Sequence, residues 1–353
     1  MLQGFGAAGV MSVNLALVRF IYPRDQLGRG VGLNALVVAV SAALGPTVAS
    51  AILSVGPWQW LFAVNVPLGV LALVAARTLP RTARSERRFD AASALLNALT
   101  FALLIVAIDG IGHRQAGAAI AAEFAAATAI GVLLVYRALA RPSPLFPVDL
   151  LRIPIFALSV ATSVCSFVAQ MLAYVSLPFF FQGVLSRSQV ATGLLMTPWP
   201  LTTALMAPLA GRLSDRYPAG ILSAIGLAVL AGGLVLLAVL PAHASAFDII
   251  WRMAVCGGGF GLFQSPNNRT MITAAPRSRS GGASGMLGTA RLLGQTTGAA
   301  SAALVFGRFP DRSATVALVS GACFAATAAL ISVLRLTRKG RGGATPGGTR
   351  PAS

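Results

Sequence analysis

The sequence predicts an all-α polytopic membrane protein with about eleven transmembrane helices, and three observations carry that expectation. The 353 residues are 56% hydrophobic and only 10% charged, with a mean hydropathy of +0.78, whereas roughly a quarter of a soluble domain is charged. Apolar stretches long enough to cross about 30 Å of hydrocarbon recur from one end of the chain to the other. Between them the basic residues gather in alternating clusters, so the sequence pI of about 11.7 describes loops flanking a membrane and not a nucleic-acid-binding face.

In chain order the expected spans are 2–21, 30–54, 60–79, 91–109, 117–137, 154–183, 189–210, 219–240, 247–268, 282–306 and 314–334. Alternate connections carry Arg24 and Arg29; Arg77, Arg81, Arg84, Arg87 and Arg88; Arg137, Arg141 and Arg152; Arg212 and Arg216; Arg269, Arg277 and Arg279; and Arg335, Arg338, Lys339, Arg341 and Arg350 in the tail. The opposite set holds Arg114, Arg187, Arg308 and Arg312. Lys and Arg in excess mark the cytoplasmic side, which puts the first set and the carboxyl terminus inside a bacterial inner membrane. Met1 then falls on the outer side at the edge of the hydrocarbon, with no flanking charge in "MLQGFGAAG" to favour that insertion. Either this segment inserts as a hairpin with the next, or further spans are expected before it.

The first and ninth segments echo one another. "QGFGAAG" is followed by "YPRDQLGRGVG" and "GGGFGLF" by "APRSRSGGASG", with Pro23, Arg24, Gly28 and Gly32 spaced as Pro276, Arg277, Gly281 and Gly285 are. Both copies run in the same direction, the arrangement expected of parallel half-transporters. The echo divides the chain into a partial amino-terminal bundle of three helices (1–80), a basic loop with two linking helices (81–153), a complete six-helix bundle (154–335) and a disordered tail (336–353).

Several residues then stand out. Gly32, Ser41, Gly45, Pro46, Ala49 and Ser50 form a small-residue stripe that lets another helix approach closely, bent at Pro46; static packing is the alternative reading. Trp58 and Trp60 suit the interfacial belt, and Asn65 and Pro67 just inside it form a structural pair, the amide taking the carbonyl that the proline leaves free. Gly211, Asp215 and Arg216 in "GRLSDRYPAG" make a cytoplasmic latch, the carboxylate holding an arginine and the amino end of the next helix, or else a solvated ion pair. Polar groups inside the spans mark a transport path: Asn14, Gln170, Tyr174, Gln182, Gln264, Asn267, Arg291 and Gln295, with Trp199 as apolar surface. Arg291 is the most informative, because an arginine at a helix centre costs about 3 kcal/mol on insertion scales.

Carboxylates are nearly absent from the spans, Glu123 in the linking pair excepted, so no proton carrier emerges. Cys165, Cys256 and Cys323 are too scattered for a metal or redox site, and no cofactor, metal or catalytic residue is expected.

Taken together these residues resemble the major facilitator superfamily, in its fourteen-span drug:proton antiporter branch. "GLNALVVAVSAALGPTVAS" is similar to the branch's fifth-span antiporter motif, with Ser41, Ala49 and Ser50 in the place of glycines. "WQWLFAVNVPLG" resembles its sixth-span entry, "GRLSDRYPAG" its second-bundle loop motif, and "PFFFQGVLSRSQVATGLLMTPWPL" and "SGGASGMLGTARLLGQTTGAA" its carboxyl half. "LQGFGAAG" resembles the start of the fourth span, so the resemblance implies that three spans and an arginine would precede Met1. It implies export of lipophilic or cationic drugs or metabolites by proton antiport, with membrane lipids, the small-molecule substrate and protons as partners and no nucleic acid. An importer on the same scaffold and a non-transporting remnant or partner protein stay open.

Overall fold

The computed structural model describes residues 2–79, 90–112, 116–140, 147–241 and 243–341, and among these there is no strand. The helices are α1 (Leu2–Ile21), α2 (Leu27–Val55), α3 (Trp60–Ala63), α4 (Asn65–Ala76), α5 (Ala91–Gly112), α6 (Gly117–Leu139), α7 (Pro154–Phe179), α8 (Gln189–Met196), α9 (Pro198–Arg216), α10 (Ala219–Ala238), α11 (Ala246–Ala274), α12 (Ser280–Arg308) and α13 (Ser313–Arg341). Each predicted segment is helical. Among the described residues seven helices are long and apolar enough to cross a membrane: α1, α5, α6, α7, α10, α11 and α13. Of the others, α3, α4 and α8 are short, and α9 is diluted by Arg212, Asp215 and Arg216 as α12 is by its Gly, Ser, Thr, Arg291 and Gln295. The basic loop 81–89, the stretch 141–146 and the tail beyond 341 lie outside the described residues.

Prolines account for the interruptions. The predicted span 60–79 divides into α3 and α4 at Val64. The Asn65 amide donates to the Leu61 carbonyl at 3.2 Å, one turn back, and not to the Ala63 carbonyl that Pro67 leaves without its donor. Span 189–210 breaks at Thr197, where Pro198 and Pro200 withhold two amides, and Ser188 caps the shorter piece by accepting from the Ala191 amide at 3.2 Å. Beyond Pro178, α7 loosens into a π turn at Phe180–Val184.

The carboxyl-terminal helices pack about a core that includes Leu177, Phe181, Trp199, Leu230, Leu234, Ile249, Met253 and Phe260. Where α10 crosses α11, a Cβ on Gly226 would come within 2.6 Å of the Gly259 carbonyl, and one on Gly259 within 2.6 Å of the Gly226 carbonyl. Such backbone contact stands in for the hydrophobic expulsion that lipid does not provide. Helices α5 and α6 form a hairpin fastened by Asp90, which accepts from the Ser93 amide at 3.3 Å and pairs with Arg137 at 3.3 Å. In front of this body α1 lies on α12 and α2 on α9, while α3 and α4 bury nothing.

Gly259→Leu therefore lowers the thermal midpoint of the detergent-solubilised chain by several degrees, because overpacking costs about 1–3 kcal/mol or more. Gly232→Leu, at a glycine with open space before it, leaves the midpoint nearly unchanged in the same thermal scan.

Candidate functional site

The seam between α2 and α9 is built on absent side chains. A Cβ on Gly32 would stand 2.7 Å from the Ala207 carbonyl and 3.2 Å from the Gly211 Cα. One on Gly28 would run into the Gly211 carbonyl, and one on Gly211 into the Gly28 carbonyl. The crossing sits at one end of the expected stripe. Ser41 and Gly45 are exposed and Gly45 faces open space, so these two do not extend the close contact. The side chains of Pro46, Ala49 and Ser50 lie outside the described residues.

Asp215 locks this crossing, with partners that differ from the expected ones. It accepts from the Gly28 amide at 3.2 Å, at the start of α2 and not of α10, where the helix dipole and an unpaired donor both favour a carboxylate. Its cation is Arg269 of α11, at 3.1 Å, which also donates to the Ser214 carbonyl; Arg216 stays exposed. The Asp215 side chain is 20% exposed, so the pair is better shielded than a surface bridge. A second contact ties α1 to the carboxyl-terminal body: Arg19 donates to the Ala275 carbonyl at 3.0 Å and to the Ser280 hydroxyl at 2.9 Å. Asp149 and Arg279 form a two-pronged pair, at 2.6 Å and 3.1 Å. The arginine partners of Asp90, Asp149 and Asp215 were hidden in the sequence because they lie 47 to 130 positions away.

A cavity of about 760 Å³ opens between α1, α5 and α12, lined among others by Met11, Asn97, Phe101, Thr289, Arg291 and Gln295. Arg291 sits over the Phe167 ring at 5.7 Å, a cation–π contact that eases its place in an apolar span. The Asn97 Oδ1 is buried without a hydrogen-bond partner among the described residues, a free acceptor on the opposite wall. Asn14 lines none of this; its amide donates to the Asn34 Oδ1 at 2.7 Å and staples α1 to α2. Gln170 and Gln264 are half-buried, and Gln182 is exposed. Trp199 is fully buried with Tyr174 edge-on at 5.2 Å, a core ring rather than cavity lining. Trp58 and Trp60 are 61% and 60% exposed.

Asn267 also lies apart from the cavity, in a polar network that sequence reasoning missed. Arg335, assigned to the tail by its position just past a predicted span, is 3% exposed inside the body. It donates to the Asn267 Oδ1 at 2.7 Å, the Ser159 hydroxyl at 2.9 Å and the Ser332 hydroxyl at 2.5 Å. The Asn267 amide in turn donates to the Ser163 hydroxyl at 2.8 Å and the Ser159 carbonyl at 3.2 Å. Neutral acceptors from α7, α11 and α13 together hold a buried cation. The signal was present in "SVLRL" and "SPNNR" with their serines, but nothing in the spacing joins them.

Asn267→Leu removes the amide acceptor of Arg335 and destabilises the chain by about 2–3 kcal/mol, the range for hydrogen bonds to charged groups. Adding Arg335→Met recovers part of that loss, since the cation no longer needs an acceptor; chemical denaturation in detergent of the single and double variants measures both.

The sequence pattern of the Major Facilitator Superfamily matches residues 1–299. The chain is 58% identical over 340 residues to the uncharacterized transporter YebQ of Escherichia coli (strain K12), covering 96% of this chain and 74% of YebQ. It is 30% identical over 302 residues to the multidrug resistance protein Stp of Mycobacterium tuberculosis, covering 84% of this chain and 56% of Stp. The chain thus spans just over half of that relative's length. Among solved structures, the proton:xylose symporter XylE bound to 6-bromo-6-deoxy-D-glucose superposes with a TM-score of 0.61 at 15% identity, over 91% of this chain and 66% of that one, a likeness of fold.

Proposed function

The chain belongs to the Major Facilitator Superfamily, and from that premise we propose that it exports small lipophilic drugs or metabolites by alternating access, in antiport with protons, as a carrier of the fourteen-span drug:proton branch. In this reading α1–α4 belong to the amino-terminal bundle, α7–α13 form the carboxyl-terminal one and α5–α6 link them. The end carrying Arg19, Arg29, Arg212, Arg269 and Arg277 faces the cytoplasm of a bacterial cell, with the carboxyl terminus on that side.

The observation that carries the reading is the crossing of α2 on α9. Where two helices meet backbone to backbone, as at Gly28, Gly32 and Gly211, there is no side chain of those residues to extract, which eases their separation. Asp215 holds the closed arrangement through the Gly28 amide and Arg269. In this reading its release frees α2 from α9 at the cytoplasmic face, and the substrate path is the cavity between α1, α5 and α12. That cavity has an arginine and no carboxylate in its lining, which favours neutral lipophiles over cations. Glu123, on α6, has one buried oxygen without a hydrogen-bond partner among the described residues, and no proton route is assigned to it.

In cells expressing the chain, a neutral lipophilic dye accumulates to a lower steady level than in control cells, and a protonophore abolishes the difference. Unchanged accumulation despite stable insertion supports a non-transporting remnant or partner protein instead, and accumulation above control supports an importer.

A further inference from the structure

Two cavities flank Tyr22 at the end of the molecule where α1 gives way to α2. One, of about 480 Å³, is lined by Tyr22, Arg29, Leu33 and Leu36 from the amino-terminal side and by Pro208 and Arg212 of α9. The other, of about 260 Å³, is lined by Arg19, Tyr22 and Leu27 together with Thr273 and Arg277. Each therefore collects arginines from both sides of the seam, and no carboxylate lines either. Asp215, the nearest acid on α9, is engaged by Arg269 and the Gly28 amide. The guanidinium groups of Arg29, Arg212 and Arg277 make no hydrogen bond or ion pair among the described residues, in contrast to those of Arg269, Arg279 and Arg335.

Like charges converging from two elements without an anion between them repel. The larger cavity supplies the rest of a binding site. Arg29 lies in the first turn of α2 and Arg212 in the last two turns of α9. One turn further along α2 comes Leu33, then Leu36, and one turn back along α9 comes Pro208. The lining passes from two cations at the helix ends to an apolar wall one or two turns deeper, with Leu33 47% exposed. A soluble anion has no use for that wall, whereas a phosphodiester joined to acyl chains matches both parts in order.

We propose that this cavity binds the headgroup of an anionic phospholipid, the phosphate bridging Arg29 and Arg212 across the α2–α9 seam and the upper acyl chain lying on Leu33, Leu36 and Pro208. Guanidinium groups take a phosphate through paired N–H donors, and basic pockets between helices at the cytoplasmic face are recognised lipid sites. A lipid in this place fastens together the two elements that Asp215 also fastens, so anionic lipid content sets how readily the seam opens. The site is separate from the transport cavity, and its occupancy is read without any transport assay.

The purified full chain in mild detergent, offered equal amounts of phosphatidylglycerol and phosphatidylcholine, is examined by native mass spectrometry for retained lipid. Phosphatidylglycerol is retained in preference, and its affinity falls roughly fivefold for each arginine removed, from about 1 kcal/mol per basic residue, in Arg29→Gln, Arg212→Gln and the double variant. Both side chains are exposed, so the variants keep the parent's thermal midpoint in lipid-free detergent, and Arg308→Gln, an exposed arginine at the far end of α12, keeps its lipid. Glycerol phosphate at millimolar concentration does not displace the lipid. Equal retention of the two lipids, equal affinity in the double variant, or displacement by glycerol phosphate, which would make the ligand a free phosphate, overturns the proposal.

Discussion

In the proposed mechanism opening depends on one contact, the approach of two helix backbones at Gly28, Gly32 and Gly211. In lipid, helices gain nothing by hiding apolar surface from one another, so association depends on how closely the backbones come and on what polar groups they share. Here the approach leaves no room for a side chain at those three positions. The polar share is a carboxylate from α9 on an amide at the start of α2. The closest approach lies toward the start of α2, while Ser41 and Gly45 further along are exposed.

The arginines explain how so basic a chain tolerates so few acids. Arg335 is buried on neutral acceptors drawn from three helices, Arg291 rests on an aromatic face, and Arg19 spends its donors on a carbonyl and a hydroxyl across the seam. Asp90, Asp149 and Asp215 lie at or near helix ends and each takes an arginine. A buried cation without a counter-ion costs desolvation that its hydrogen bonds offset in part: both terminal nitrogens of Arg335 are bonded, while its Nε has no partner among the described residues.

Much of the fold was legible because it rests on local composition. The helical segments follow from apolar runs bounded by Pro, Gly and Arg, and Gly32 was readable as a point of close approach because a small residue in a membrane helix has few other uses. What the sequence withheld depends on pairs distant in the chain. Asp215 was readable as a latch residue, but not that it reaches α2 and Arg269. Asn14 and Asn267 both read as lining for a path, yet one bonds to Asn34 and the other to Arg335, since polar periodicity inside a bundle does not distinguish a wall facing a cavity from one facing a neighbour. Arg335 was misplaced for a simpler reason: α13 continues to Arg341, beyond the point where hydropathy falls.

The claim that the α2–α9 joint must part for the carrier to work is tested most directly by tying it shut. With Cys165, Cys256 and Cys323 replaced, cysteines at Leu33 and Pro208, which line the same cavity from opposite sides, are bridged by a short bifunctional reagent with a reducible link. The account predicts that dye export stops on bridging and returns on reduction. Undiminished export by the fully bridged protein would contradict it.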